Sequence, residues 1–96
     1  MDRIFEWDPK KAEANLRKHG IRFEDAVRVF DDPFAMATCD RIENGELRWQ
    51  TIGLVGGYLM ILVAHTLRLE EAGGEVIRIV SARRADRTER KRYELG

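Results

Sequence analysis

Apolar and polar positions along this chain switch from a helical period in the first third to a strand period in the middle. Arg3-Ile-Phe-Glu-Trp7 opens with a brief alternation that predicts a short strand. Asp8-Pro9 then starts a helix, with Asp8 as N-cap and Pro9 at the first helical position. Ala12, Leu16 and His19 fall on one face of it, and Gly20 supplies the left-handed residue that ends it. Phe23, Ala26, Val27 and Phe30 recur at helical spacing and predict a second helix over Phe23–Phe30. Its start is poorly capped, because Arg22 stands where Ser or Asp would accept a backbone N–H. Asp31-Asp32-Pro33 stops it.

From Phe34 onward the pattern is strand throughout. Strands are predicted over Phe34–Ile42, Leu47–Leu54, Tyr58–Leu67 and Val76–Ser81. Glu43-Asn44-Gly45-Glu46 reads as a type I′ hairpin, since Asn-Gly tolerates two positive φ angles. Gly56-Gly57 and the Glu70–Gly74 stretch supply the next two turns. Such short connections imply an antiparallel meander. A last helix begins near Asp86, where Asp86-Arg-Thr-Glu89 has the spacing of a capping box. The order β-α-α-β-β-β-β-α predicts an α+β domain, an antiparallel sheet with helices packed against it. At 96 residues this is one domain spanning 1–96, with Trp7, Phe23, Phe30 and Trp49 as candidate core aromatics.

Charge changes that picture. Net charge is zero, with 17 basic and 17 acidic residues, yet the signs are not mixed evenly. Residues 1–46 carry eight Lys/Arg against eleven Asp/Glu. From Arg78 to Arg92 there are seven basic residues against two acidic ones, and six of the seven are Arg. Clustered arginines suit bidentate contact with phosphate and the counterion release that accompanies polyanion binding. The competing reading is a solvated helix face with ordinary ion pairs. The longest uncharged run, Gln50 to Leu67, contains three glycines and a histidine, so it reads as two strands rather than a membrane span. The charged start Met1-Asp-Arg is no signal peptide, and a cytoplasmic location follows by elimination. Cys39 stands alone, which excludes an internal disulfide; it reads as a small apolar filler in a strand.

Candidate chemistry is restricted by what is missing. His19 and His65 lie in different elements, with no metal-ligand spacing, so neither metal nor cofactor is expected. Neither a phosphate-cradling glycine loop nor a nucleophile elbow is present. The remaining Arg, Lys, His, Glu and Tyr side chains suffice for cleavage of RNA, where the ribose 2′-hydroxyl is itself the nucleophile. Such a site needs a base, an acid and cations for the phosphorane. Arg48 and Arg68 flank the central strands, and Arg83 and Arg84 stand where the last strand meets the last helix. Tyr93 lies on that helix and His65 near the end of Tyr58–Leu67. Each has a structural alternative: His65 as a hydrogen-bonded core residue, His19 as a helix-dipole cation, Tyr93 as a packing residue, Arg83 as an ion-pair partner of Glu89 or Glu94.

Several blocks taken together are distinctive. Phe5-Glu-Trp-Asp-Pro9, Asn15-x-x-Lys18-His19-Gly20, Phe23-Glu24-x-Ala26, Asp32-Pro33, Arg48 with Ile52-Gly53, and Arg78-Ile-Val-Ser-Ala-Arg83-Arg84 with Glu89-Arg90 and Tyr93 run almost end to end. In these blocks the chain resembles the BrnT family of type II toxins. Arg22 and Tyr58 depart from it, where the family tends to have a capping Ser or Thr and a basic residue. The resemblance implies a RelE-like ribonuclease fold, RNA cleavage that halts translation, and a BrnA-type antitoxin through which the complex contacts operator DNA. The resemblance carries over Arg48, Arg83, Arg84, Glu89 and Tyr93 as matching positions; from the chemistry of the residues themselves, Arg48, His65, Arg68, Arg83 and Tyr93 are the expected catalytic residues. Lys18, His19, Arg84, Arg87 and Arg90 are the expected RNA contacts. The alternative is a non-catalytic module that binds nucleic acid or a protein partner through the basic C-terminal helix.

Overall fold

The computed structural model describes residues 3–96. Strand β1 (Arg3–Glu6) leads into helix α1 (Pro9–His19), then α2 (Phe23–Val27), which tightens into a 3-10 turn over Arg28–Asp31. Strands β2 (Met36–Glu43), β3 (Glu46–Val55), β4 (Leu59–Leu69) and β5 (Glu75–Arg84) follow, and helix α3 (Arg87–Leu95) closes the chain. The five strands form one sheet in the order β1-β5-β4-β3-β2. The meander β2 to β5 is antiparallel, as the short turns required. The all-antiparallel expectation fails at β1, which pairs parallel with β5 and makes the sheet mixed. Four residues cannot announce a partner some seventy positions away.

The local signals act where they were read. Asp8 accepts the Lys10 N–H at 2.9 Å, and Gly20 ends α1 at φ 72°. Asn44 and Gly45 take φ angles of 53° and 78° in the hairpin turn. Asp86 and Glu89 close both halves of the capping box, and Arg22 makes no capping bond.

One sheet face carries the larger core. Phe23, Ala26, Val29, Ile61, Val63, Ile79 and Ala82 are all essentially inaccessible, and Phe5, Trp7, Ala12 and Phe30 pack around them. The inward stripe of α1 differs from the expected one. Asn15 is buried and Leu16 is 41% exposed, because Ala12, Asn15 and His19 point at the sheet. Asn15 has a reason to be there. Beyond the last β1 pair, Glu6 with Arg78, strand β5 continues with no strand along that edge. The Asn15 side chain accepts the Ala82 N–H at 3.0 Å and donates to the Ala82 and Ile21 carbonyls at 2.8 and 3.0 Å. One amide thus replaces the missing strand. Gly53 lets the 3-10 turn approach β3, since a Cβ there would sit 2.6 Å from the Val29 side chain.

The opposite face is thinner. Ile52, Met60 and Leu62 form a second small core with Leu54, Ala85 and Tyr93, beneath α3. Cys39 is exposed on edge strand β2, against the expectation of a filler. Among the described residues no helix is long and apolar enough to cross a membrane.

Candidate active site

Strand alternation decides which side chains share the α3 face. Arg48 is four residues from Ile52 on β3 and so projects to the same side. Its cross-strand partner is Thr66 on β4, whose partner on β5 is Arg78. Arg83 lies opposite Leu62, and Arg41 opposite Arg48. Arg68, two residues past Thr66, meets Glu6 at 3.5 Å and Glu70 at 3.8 Å. Five arginines from four strands therefore stand on one sheet face. Among the described residues, α3 is the helix on this side, and it covers the Ile52–Leu62 end. The rest of the face is open to a ligand.

A bulge makes this grouping possible. Five positions separate Arg78 from Arg83, so in a regular strand they would point to opposite faces. The register between Ala64 and His65 shifts, and β5 gains the unpaired Val80. The extra residue turns Arg78 back to the side of Arg83.

Carboxylates are threaded among these cations. Arg78 Nη2 donates to Glu46 at 2.7 and 3.0 Å. Arg41 donates to Asp40 at 2.9 Å and to Glu43 at 3.2 Å. Arg48, with a side chain only 21% exposed, approaches Glu43 no closer than 3.6 Å through Nε. Arg83 forms a fork with Glu89, both bonds 2.8 Å. The Glu89 hydrogen bond, followed by its charge, outweighs desolvation and raises the Arg83 pKa. Arg83 in return holds the Glu89 carboxyl below its usual range. Since Glu89 also accepts the Asp86 N–H at 2.9 Å, Arg83 is braced by the α3 cap. It is the next-to-last residue of β5, where the strand meets the Asp86 cap of α3, as expected.

The five expected catalytic residues do not converge. Arg48, Arg68 and Arg83 share the open face, but His65 points the other way, toward Phe30 at a centroid distance of 5.0 Å. It is 4% exposed. Its Nε2 lies 2.7 Å from Thr51 Oγ1 and its Nδ1 3.1 Å from the Thr66 carbonyl. Both nitrogens are occupied when Nδ1 donates and Nε2 accepts, and burial lowers the pKa, so the ring is a neutral core residue. Tyr93 is on the arginine side, yet its hydroxyl donates to Asp32 at 2.6 Å, which pushes its pKa up to about 12. The same carboxylate accepts the Leu54 and Phe34 N–H groups at 2.7 and 2.9 Å. Tyr93 thus fastens α3 to the loop before β2.

The expected RNA contacts also divide. Arg87 and Arg90 are exposed on α3. Lys18 and His19 end α1, on the helix-packed side, and Arg84 lies opposite Ile61, whose side chain belongs to the larger core. Residue-by-residue reading missed Arg78, Glu46, Asn15 and Asp32 as site or scaffold residues. The Asn15, Asp32 and Arg78 signals were already present in the distinctive blocks. Glu46 had none beyond its place in a hairpin turn. Among the described residues no group of three or more His, Cys, Asp or Glu side chains is placed to hold a metal ion.

Comparison with known proteins decides the family. The family model described as "Ribonuclease toxin, BrnT, of type II toxin-antitoxin system" matches residues 7–89. The chain belongs to the BrnT family. The crystal structure of the Brucella abortus ribonuclease toxin, BrnT, superposes with a TM-score of 0.62 at 26% identity. The match covers 91% of this chain and 100% of that one. A comparison with curated proteins found no match. This BrnT-family chain is accordingly a ribonuclease toxin of a toxin–antitoxin system, with an antitoxin protein as partner. Its matched span runs from Trp7 through Glu89, so it includes Arg48, Arg68, Arg78 and Arg83.

Proposed function

We propose that the toxin cleaves RNA without a metal, on the open arginine face, as a single RelE-like domain acting in the cytoplasm. The observation that carries this reading is the gathering of Arg41, Arg48, Arg68, Arg78 and Arg83 on one uncovered sheet face. Guanidinium groups held by a sheet are preorganised for the charge that builds on a phosphorane. The 2′-hydroxyl attacks the adjacent phosphorus, and a carboxylate of the same face, Glu43 or Glu46, takes its proton. The P–O5′ bond breaks, the departing oxygen takes a proton from solvent, and a 2′,3′-cyclic phosphate remains. Arg48, 3.6 Å from Glu43, and Arg68 on the same face stabilise the charge, while Arg83 and the α3 cations Arg87 and Arg90 guide the strand.

Cleavage of this kind in a bacterial cell inhibits translation. A BrnA-type antitoxin covers the face, and the operator is contacted through that antitoxin. Induced alone, the chain arrests growth; co-expressed with its antitoxin, it does not. Purified protein degrades total bacterial RNA in EDTA and leaves cyclic phosphate ends. Loss of cleavage on chelation, restored by Mg²⁺, would refute the mechanism while leaving the family intact.

A further inference from the structure

Arg48 and Arg78 stand on either side of Thr66, which is itself buried. Two strand spacings separate their Cα atoms, about 10 Å, so two long side chains can converge on one group. Both Nε atoms are buried, and neither has a hydrogen-bond partner among the described residues. Arg78 uses Nη2 alone, toward Glu46. Arg48 makes only the 3.6 Å approach to Glu43, too long for a hydrogen bond. A guanidinium carries five N–H donors, so most of this pair's capacity is unspent.

The anions that accompany the pair are unusual in their placement. Glu43 and Glu46 flank the Asn44-Gly45 turn and are cross-strand partners of each other. Like charges directly opposite repel, and the neighbouring arginines offset that repulsion. Glu46 reaches from β3 across β4 to Arg78 on β5. Its carboxylate presents two oxygens to Nη2, an arrangement that a non-bridging pair of phosphodiester oxygens can reproduce.

We propose that Arg48 and Arg78 form a phosphodiester subsite for single-stranded RNA, with the Glu46 carboxylate holding the phosphate's place until RNA displaces it. The proposal rests on the ribonuclease reading for the source of the phosphate. It adds a binding residue, Arg78, and an internal competitor, Glu46. Removing the competitor strengthens RNA binding, whereas a purely structural ion pair gives no such gain.

The test uses a fluorescein-labelled, fully 2′-O-methylated single-stranded RNA, which binds but cannot supply the nucleophile. Wild type is compared with Arg78→Ala, Arg78→Lys, Glu46→Gln and Arg28→Ala, each first shown to be folded by thermal melting. Arg28 sits in the turn on the far side of the sheet, 3.8 Å from Asp25, and serves as a charge control. Arg78→Ala weakens binding about tenfold, the loss of a charge-assisted hydrogen bond or two. It also flattens the log–log salt slope by about 0.7. Arg78→Lys recovers part of the affinity, Glu46→Gln tightens binding severalfold, and Arg28→Ala matches wild type. Should Arg78→Ala not fold, Glu46→Gln and Arg78→Lys decide the matter. Unchanged or weaker binding by Glu46→Gln, wild-type binding by Arg78→Ala, or no binding by the wild type overturns the subsite. Wild-type cleavage of total bacterial RNA is measured in parallel. Its absence defeats the ribonuclease reading separately, and its presence alongside a failed binding series defeats only the subsite.

Discussion

Asp32 receives hydrogen bonds from the Tyr93 hydroxyl and from the Leu54 and Phe34 N–H groups, so one carboxylate joins helix, strand and loop. Burial raises its pKa, but these three donors outweigh burial and lower it overall. A depressed folded pKa adds stability above the unfolded carboxyl value, and that increment is lost as pH falls through the folded one. Tyr93 has the reverse sign. Its hydrogen bond to Asp32, then burial, raise its pKa to about 12. The contribution is complete below the ordinary phenol value near pH 10 and is lost as pH rises through about 12. Tyr93→Phe is expected to cost about 1.5 kcal/mol at neutral pH, the lower range for a hydrogen bond to a charged group. Chemical denaturation of both proteins across the alkaline range checks this, with the difference shrinking above pH 10. A constant difference would place the Tyr93 contribution in packing.

At the scale of elements, the attachments of α1 and α3 are unequal. Helix α1 is locked into the sheet by Asn15, which supplies β5 with the hydrogen bonds that a longer β1 would have made. Asn15→Leu keeps the volume but strands the Ala82 N–H and the Ala82 and Ile21 carbonyls. With each buried orphan costing about 1–3 kcal/mol, the expected loss is about 3 kcal/mol or more, read from urea midpoints. Helix α3 buries none of its residues. It is held by the Arg83–Glu89 fork at one end and by Tyr93–Asp32 at the other. Arg83→Ala should therefore loosen α3, raising amide exchange in residues 87–95 more than elsewhere. Uniform exchange would show that the apolar patch under the helix suffices to hold it.

For the whole molecule, neutrality conceals an arrangement in which cations occupy one sheet face and the exposed side of α3. RNA binding should then weaken steeply with salt, each neutralised phosphate on a single strand adding about −0.7 to the log–log slope. Filter binding of 2′-O-methylated RNA across a salt series measures it. A flat profile would remove the arginine face as the RNA surface. Only some of the neighbouring carboxylates need yield to substrate. Glu89 is tied to Arg83 and to a helix cap, while Glu46 belongs to an exposed hairpin at the sheet edge.

The sequence by itself determined the caps and turns, which act over a few residues. Asp8, Gly20, Asn44-Gly45 and the Asp86–Glu89 box each act through bonds to neighbours within about one turn, so their chemistry was legible in place. Its distinctive blocks also carried the family. What folding decided was which distant groups meet. The parallel pairing of β1 with β5, the reach of Asn15 to Ala82 and of Tyr93 to Asp32 join residues some sixty or more positions apart. The fate of His65 depended on its face, not its type, because β4 turns one side to α1 and α2 and the other to the arginine face. Arg78 joined Arg83 only because Val80 bulges: a single unpaired residue, which alternation cannot foresee, put Arg78 on the side of the sheet that the candidate site occupies.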